Sequence, residues 1–141
     1  MRYQGGKSRL ASEIVKTIQS LTTEREVWEP FCGGGAVTIA LAKAGFRVYA
    51  SDSHEDLILM WQAILAGDAT VCADVTEEEY LRLKTAAPSA RRGFVGYGAS
   101  FGGKWFGGMA RGGGRNYLAE SRRNNEEILQ GNPLPTFRHA D

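Results

Sequence analysis

The chain has 141 residues, which suits one domain with a single buried core, and 43% of them are hydrophobic. That proportion excludes a chain disordered throughout, and no apolar run is long enough to span a membrane. The N-terminus lacks the apolar stretch of a secretory signal, and the only cysteines, Cys32 and Cys72, lack metal-type spacing. We therefore expect a cytoplasmic protein with no metal site.

The net charge of +1 is unevenly distributed. Residues 1–87 carry nine basic and twelve acidic side chains, whereas residues 88–141 carry eight and four. Within residues 91–123, seven basic residues accompany a single acidic one, Glu120. Such a basic block favours a polyanionic partner. A solvated surface segment explains the charge equally well.

The chain is predicted to begin with a helix and then to alternate strands and helices. Ser8 is a candidate N-cap for a helix whose apolar residues follow helical spacing, at Leu10, Ile14, Ile18 and Leu21. EVWEPF at 26–31 is typical of a short strand. The run AVTIALAKAG is typical of an apolar helix ended by Gly45, and FRVYASD at 46–52 of a second strand.

Two more helices are predicted from their caps. Ser53 is the candidate cap of a helix with an apolar face at Leu57, Trp61, Ile64 and Leu65. His54, just after this cap, is expected to be solvated. Thr76 with Glu79 forms a capping box, which predicts another helix start.

The second half of the chain has a different character. From Gly93 to Gly114, ten of 22 residues are glycine, interleaved with aromatic residues, and neither a regular helix nor a plain strand is expected there. Residues 116–130 are predicted to be helical, and LPTFRHAD at 134–141 to contain a third strand. Alternating strands and helices with short joints predict an α/β fold with a parallel sheet.

EPFCGGGAV at 29–37 places three glycines where a strand passes into a helix. Free backbone N–H groups at such a point attract an anionic or strongly polar ligand, and glycine permits close approach. Gly33 and Gly35 match two positions of the dinucleotide fingerprint, but Thr38 replaces the third glycine, which argues against NAD. Asp52 ends the next strand, where a carboxylate can accept both ribose hydroxyls. The pattern indicates a nucleoside cofactor, with a plain tight turn as the alternative.

Residues 93–115 combine glycines, aromatic rings and basic side chains. Aromatic rings can stack on bases while cations contact phosphates, so the segment is a candidate nucleic-acid contact. Alternatively, its aromatic side chains fold back onto the core. The residues favour neither interpretation over the other.

Four stretches, in this order, resemble the Dam-type adenine-N6 DNA methyltransferases, especially phage-borne members: YQGGKSRL (3–10), WEPFCGGGAVTIAL (28–41), SDSHEDLI (51–58) and GYGASFGGKWFGG (96–108). The resemblance extends to about residue 117. It implies a Rossmann-like methyltransferase fold, S-adenosyl-L-methionine (AdoMet) as the cofactor, and double-stranded DNA methylated at adenine N6. It also implies a place in restriction-modification within a bacterial or phage-infected cell.

The resemblance assigns cofactor roles to several residues. The first motif, with Tyr3, Gly6 and Lys7, would close over the methionine end of AdoMet. Phe31, Gly33 and Gly35 would form the backbone cradle. The ribose would meet Asp52 and the adenine Asp141.

The resemblance also assigns DNA contacts and a division of the chain. The implied DNA-binding residues are Tyr97, Lys104, Trp105, Arg111 and Arg115. Residues 1–87 would be the N-terminal part of the AdoMet-binding domain, and 88–131 the Gly/aromatic/basic DNA-recognition segment. Residues 132–141 would return to the AdoMet-binding domain as a strand.

One motif of the resembled family is absent, so no catalytic residue is assigned. The Asp-Pro-Pro-Tyr motif, whose oxygens accept from the target amine, does not occur, and residues 132–135 (NPLP) are better explained as a turn. In the family, the strand bearing that motif lies beside the one here at 26–31. We therefore expect a fragment with an incomplete fold and an unpaired edge at this strand, with a second polypeptide as one candidate source of the catalytic half.

Three functions remain open. The chain can be an adenine-specific DNA methyltransferase, or a catalytically incomplete fragment that only binds AdoMet or DNA. A nucleoside-dependent enzyme of another class, such as an RNA methyltransferase or an oxidoreductase, is the third.

Overall fold

A three-stranded parallel sheet forms the centre of the protein in a computed structural model that describes residues 1, 3–111 and 116–140. Its strands are β1 (Glu26–Glu29), β2 (Arg47–Asp52) and β3 (Thr136–His139). The order β1-β2-β3 places β2 in the middle. Val27 pairs with Val48, and Ala50 with Phe137, so the carboxyl ends of the strands lie at one edge. The α/β fold class and all three predicted strands are confirmed.

Six helices accompany the sheet in the described part of the chain: α1 (Ala11–Leu21), α2 (Ala36–Lys43), α3 (Glu55–Leu65), α4 (Glu77–Lys84), α5 (Ala90–Gly98) and α6 (Tyr117–Glu126). Short 3-10 turns occur at Phe101–Gly103 and Glu127–Gln130. None of the helices within the described ranges is long and apolar enough to cross a membrane.

The sheet buries one face and exposes the other. Val48, Ala50 and Phe137 belong to the core, where the ring of Phe137 stacks on Trp61 of α3 at 5.5 Å. On the opposite face, Trp28 is 71% exposed and its register neighbour Tyr49 is 43% exposed. Parallel sheets are normally covered on both faces. Among the described residues, no strand pairs with the outer edge of β1.

The helical conformation of α5 corrects the prediction for the start of the glycine-rich segment. Ala90–Gly98 is a regular helix, capped by the Ser89 hydroxyl, which accepts from the Arg92 N–H at 3.1 Å. Glycines are poor helix formers, but here they allow close packing, which outweighs propensity. A Cβ on Gly93 would collide with the Asp56 carbonyl of α3, and one on Gly96 with the Trp105 ring.

The predicted caps are right in one case and wrong in two. The Thr76 hydroxyl accepts from the Glu79 N–H at 3.1 Å, as the capping box requires. Ser8 and Ser53 are not caps, because α1 and α3 begin after Leu10 and His54, neither of which makes a side-chain cap. In α1 the buried residues are Ala11 and Val15, whereas Leu10 and Leu21 of the predicted apolar face are exposed.

Candidate functional site

The glycine turn connects β1 to α2 at the carboxyl edge of the sheet. Gly33 and Gly35 adopt positive φ angles of 51° and 79°, a conformation that favours glycine. The turn is fixed to β2 because the Cys32 N–H donates to the Ser51 carbonyl at 2.9 Å. These glycines therefore lie where the sequence predicts them, between the strand end and the start of the helix.

Asp52 and the glycine turn are in direct contact. The Asp52 Oδ2 accepts from the Gly33 N–H at 2.8 Å, and its Oδ1 accepts from the His54 N–H at 2.9 Å. The carboxylate is therefore oriented by two backbone donors from neighbouring elements. Each oxygen keeps acceptor capacity for a further donor. The structure thus brings together the two features that the sequence singled out 19 residues apart.

Side chains of the protein occupy the space beside all three glycines, which the sequence pattern assigns to a ligand. A Cβ on Gly34 would stand 2.7 Å from the Cβ and Cγ of Tyr3, and one on Gly33 would stand 3.1 Å from the Tyr3 ring. A Cβ on Gly35 would stand 2.5 Å from the Trp61 ring. In this structure the bare backbone accommodates Tyr3 and Trp61.

Glu29 and Thr38 form a polar pair behind the turn that the sequence did not reveal. Thr38, fully buried in the first turn of α2, donates its hydroxyl to the Glu29 carboxylate at the end of β1. Burial raises the pKa of Glu29 from 4.5 to about 7, the Thr38 hydrogen bond opposes this, and the charge of Asp52 adds to it. Thr38, the residue that breaks the dinucleotide fingerprint, thus binds a strand-end carboxylate.

The thiol of Cys32 lies in the same turn and is unreactive in this environment. It is buried and unpaired. Burial, with the nearby charges of Glu29 and Asp52, raises its pKa to about 12. A thiol in this state is a small core residue and not a nucleophile.

The segment containing the first motif packs over the turn. The Gly6 N–H donates to the Tyr3 carbonyl at 2.9 Å, which folds the segment back on itself. Lys7 is exposed, and its Nζ donates to the Gly5 carbonyl at 3.3 Å. Phe31 is 85% exposed and so contributes little packing to the cradle in this structure.

Tyr97 and Trp105 belong to an aromatic cluster that folds onto the body of the protein. The Tyr97 ring lies 4.6 Å from that of Tyr3 and 4.7 Å from that of Trp105. His54 packs edge-on against Trp105 at 4.5 Å, so the expectation that His54 is solvated is wrong. Burial lowers the pKa of His54, with the Asp56 charge opposing this. Of the two alternatives for these aromatic residues, the folded-back one describes Tyr97 and Trp105 here.

Three of the seven basic residues at 91–123 form contacts within the protein. Arg92 donates to the Asp56 carboxylate at 3.0 Å and stacks over the Trp105 ring at 5.0 Å. Arg91 pairs with Glu79 and donates to backbone carbonyls, and Arg122 donates to the Cys72 carbonyl. These three guanidinium groups hold elements together.

The remaining predicted DNA contacts differ in their surroundings. Lys104 is exposed, and Arg111 is exposed but forms an ion pair with Glu77 of α4. Arg115 and Asp141 lie outside the described residues. Within residues 132–135, where a turn is expected, the chain bends at residues 132–133 before β3. In the described ranges, no group of His, Cys, Asp and Glu side chains is arranged to hold a metal ion.

A scan against protein-family models matches residues 3–95 to the D12 class N6 adenine-specific DNA methyltransferases. The match covers more than half of the chain and includes the Tyr3 segment, the glycine turn and Asp52. The chain belongs to this family. It is therefore related to enzymes that methylate adenine in DNA, and its parallel α/β fold agrees with that family. A search of curated proteins finds no match.

Proposed function

We propose that the chain binds AdoMet across the Gly33–Gly35 turn and Asp52, and that it takes part in methyl transfer from AdoMet to adenine N6 in double-stranded DNA. The observation that carries this proposal is the 2.8 Å hydrogen bond from the Gly33 N–H to the Asp52 carboxylate. It joins the bare turn and the acid at the carboxyl ends of two adjacent parallel strands, where α/β proteins bind their ligands.

The charges around the turn suit a positively charged nucleoside. The charge of Asp52 helps to raise the pKa of Glu29, and among the described residues the hydrogen-bond donors to the two carboxylates are backbone N–H groups and the Thr38 hydroxyl, not lysine or arginine. AdoMet carries a sulfonium and an ammonium group, which the Asp52 carboxylate would attract. The remaining lone pairs of the Asp52 carboxylate would accept hydrogen bonds from the ribose hydroxyls. NAD, with its anionic pyrophosphate, suits this site less well.

Cofactor binding requires Tyr3 to change position. Its ring lies against Gly33 and Gly34, on the backbone that would hold the methionine end of AdoMet. Tyr3 is partly buried, but the residues that follow it, 4–10, are exposed, and its ring contacts this turn and Tyr97. In this proposal the ring lifts from the turn and then closes over the ligand. Gly6 and Lys7 would move with it, with the Lys7 ammonium available for the methionine carboxylate.

Methyl transfer also needs acceptors for the protons of the target amine, which is a poor nucleophile. The enzyme must take the adenine out of the helix and hold its amine in line with the methyl group. No Asp-Pro-Pro-Tyr motif is present in the sequence to do this. The residues described above bind and orient the methyl donor only.

We further propose that a second polypeptide completes the sheet and supplies those acceptors. The supporting observations are the unpaired outer edge of β1 within the described part of the chain and the exposed face carrying Trp28 and Tyr49. A strand added beside β1 would bring new side chains to the same carboxyl edge as the glycine turn. In this case the chain alone binds its ligands without turnover.

An assay with AdoMet labelled in its methyl group, on mixed-sequence duplex DNA, tests both parts of the proposal. We expect the chain to retain labelled AdoMet on a filter but to transfer little or no methyl group. Retention with rapid transfer to adenine would contradict the need for a second polypeptide. Failure to retain AdoMet would contradict the cofactor site itself.

A further inference from the structure

The side chains of Glu29, Cys32 and Asp52 surround the glycine turn, and the proposed cofactor contacts use only Asp52. Asp52 is oriented by the Gly33 and His54 N–H groups, at 2.8 and 2.9 Å, and Cys32 is a buried thiol. Glu29 ends β1 and is partly buried. Partly buried carboxyl groups beside a ligand site are often functional, and the contacts proposed above give Glu29 no role.

The hydrogen bond with Thr38 places the Glu29 carboxyl group directly behind the turn. Thr38 is fully buried in the first turn of α2, the helix that follows Gly35, and its hydroxyl donates to Glu29. In the sheet, Glu29 pairs with Ala50, so its strand end lies beside the one that carries Asp52. A hydroxyl can donate to a carboxylate or accept from a carboxylic acid, so Thr38 holds Glu29 in place in both protonation states.

The surroundings of Glu29 favour its protonated form. The groups that face it from neighbouring elements are the Asp52 carboxylate at the end of β2, the Cys32 thiol in the turn and the Thr38 hydroxyl of α2. Burial raises the pKa of Glu29 to about 7, the Thr38 hydrogen bond opposes this, and the Asp52 charge adds to it. Cys32, with a pKa of about 12, stays neutral. Near pH 7, Glu29 is therefore protonated in about half of the molecules.

A positive charge on the turn would act on Glu29 in the opposite sense to Asp52. A cation near a carboxyl group favours its ionised form. The sulfonium of AdoMet supplies such a charge. Methyl transfer breaks the bond between sulfur and methyl carbon and forms one between that carbon and the amine nitrogen, which gives up a proton. The sulfur keeps the electron pair and becomes a neutral thioether, so the donor and its product differ in charge at the same turn.

We propose that Glu29 is a specificity-determining residue, which releases its proton when AdoMet binds and thereby favours the sulfonium donor over the demethylated product. This inference rests on the proposed function, because it requires AdoMet to lie on the Gly33–Gly35 turn. Since the free site binds the proton more strongly than the occupied one, AdoMet affinity rises with pH through neutrality. After transfer, Glu29 takes up a proton again, which weakens the hold on the product.

The test is calorimetric titration of the full chain with AdoMet and with S-adenosyl-L-homocysteine, each in two buffers of different ionisation enthalpy, which counts the protons released. At pH 7 we expect the wild type to release about 0.4 proton more than Glu29→Gln with AdoMet, for a pKa lowered by about one unit on binding. Comparing the two chains with one ligand cancels the titration of the ligand's own amino group.

The affinity should show the same effect. Between pH 5.5 and 7.5, AdoMet binding to the wild type should strengthen by about sixfold more than binding to Glu29→Gln, with a smaller difference for the demethylated product. Glu24→Gln, at an exposed loop residue, should behave as the wild type does.

A second variant changes the proton affinity of Glu29 without removing it. Thr38→Val deletes the hydrogen bond that lowers the pKa of Glu29, so at pH 7.5 it should release more protons on binding AdoMet than the wild type does. Equal release from the wild type and Glu29→Gln would overturn the role of Glu29 while leaving the cofactor site intact. Equal Glu29-dependent release with both ligands would overturn the selectivity for the sulfonium. If the wild type binds no AdoMet, the proposed function itself is overturned.

Discussion

The backbone of Gly34 lies directly against the side chain of Tyr3, so that a Cβ at position 34 would stand 2.7 Å from the Tyr3 Cβ and Cγ. This contact accounts for the middle glycine, while the positive φ angles account for Gly33 and Gly35. The three glycines therefore serve two purposes. They allow the backbone to turn, and they leave room for the Tyr3 side chain to pack against it. The proposed cofactor would take over the surface that Tyr3 now covers.

A comparison of Gly35 with Gly67 separates two costs of replacing a glycine, which are backbone strain at a positive φ angle and collision of the new side chain with its neighbours. Gly35 and Gly67 have similar φ angles, 79° and 83°, but only at Gly35 would an added methyl group meet a ring, that of Trp61, within 4 Å. We expect Gly67→Ala to lower the free energy of unfolding by about 1 kcal/mol and Gly35→Ala by about 3 kcal/mol or more. Urea denaturation followed by circular dichroism measures both. Equal losses would show that the Trp61 contact is unimportant.

Glu29 should make stability depend on pH near neutrality. Burial raises its pKa to about 7 in the folded protein, from an ordinary value of 4.5. Between these values the folded state binds the proton more strongly than the unfolded state, so the free energy of unfolding falls as the pH rises from 4.5 to 7. Glu29→Gln removes this loss and keeps an acceptor for the Thr38 hydroxyl.

We therefore expect Glu29→Gln to be more stable than the wild type at pH 8, by up to about 3 kcal/mol, with the difference closing near pH 4.5. Urea denaturation at a series of pH values measures this. Glu24→Gln, at an exposed loop residue, is the matched control. A Glu29→Gln variant that is less stable at pH 8 would show that the carboxylate is stabilised in its charged form.

Arg92 should behave as a structural residue and not as a DNA contact. Its guanidinium donates to Asp56, which is 4% exposed, and to the Leu83 carbonyl at 2.9 Å. Arg92→Ala would remove the guanidinium from the buried Asp56 carboxylate and leave it with the Ser89 N–H and His54, so we expect a loss of about 3 kcal/mol in the free energy of unfolding.

The exposed Arg123→Ala, on α6, should change stability by less than about 0.5 kcal/mol. Thermal and urea denaturation compare the two variants. If Arg92→Ala were as stable as the wild type while its affinity for DNA fell, Arg92 would belong to the DNA surface after all.

The parts of the structure that depend on local sequence signals could be predicted. Strand, glycine turn and helix from residue 26 to 43 follow from short-range patterns, and Asp52 follows from its place at the end of the next strand. The helix α5 could not be predicted, because Gly93 and Gly96 are favourable only against the Asp56 backbone and the Trp105 ring. Such contacts join residues distant in sequence.

The partners of the charged residues could not be predicted from the sequence for the same reason. In the sequence, Arg91 and Arg92 are indistinguishable from solvated cations, since their carboxylate partners Glu79 and Asp56 lie 12 and 36 residues earlier. The hydrogen bond between Glu29 and Thr38 could not be predicted either. The glycine pattern shows only that position 38 lacks the third glycine, not that Thr38 has a partner. Side-chain polarity indicates that a partner exists, whereas only the fold identifies it.

The central claim is that the Gly33 turn and Asp52 together bind AdoMet, and calorimetric titration of the chain with AdoMet tests it most directly. We expect one binding site, no heat with NAD, and at least about tenfold weaker AdoMet binding for Asp52→Asn, because a charged acceptor contributes ~1.5–3 kcal/mol per hydrogen bond. Asp68→Asn, at an exposed loop residue, should bind as the wild type does. Absence of AdoMet binding, or equal affinity in the wild type and Asp52→Asn, would contradict the account.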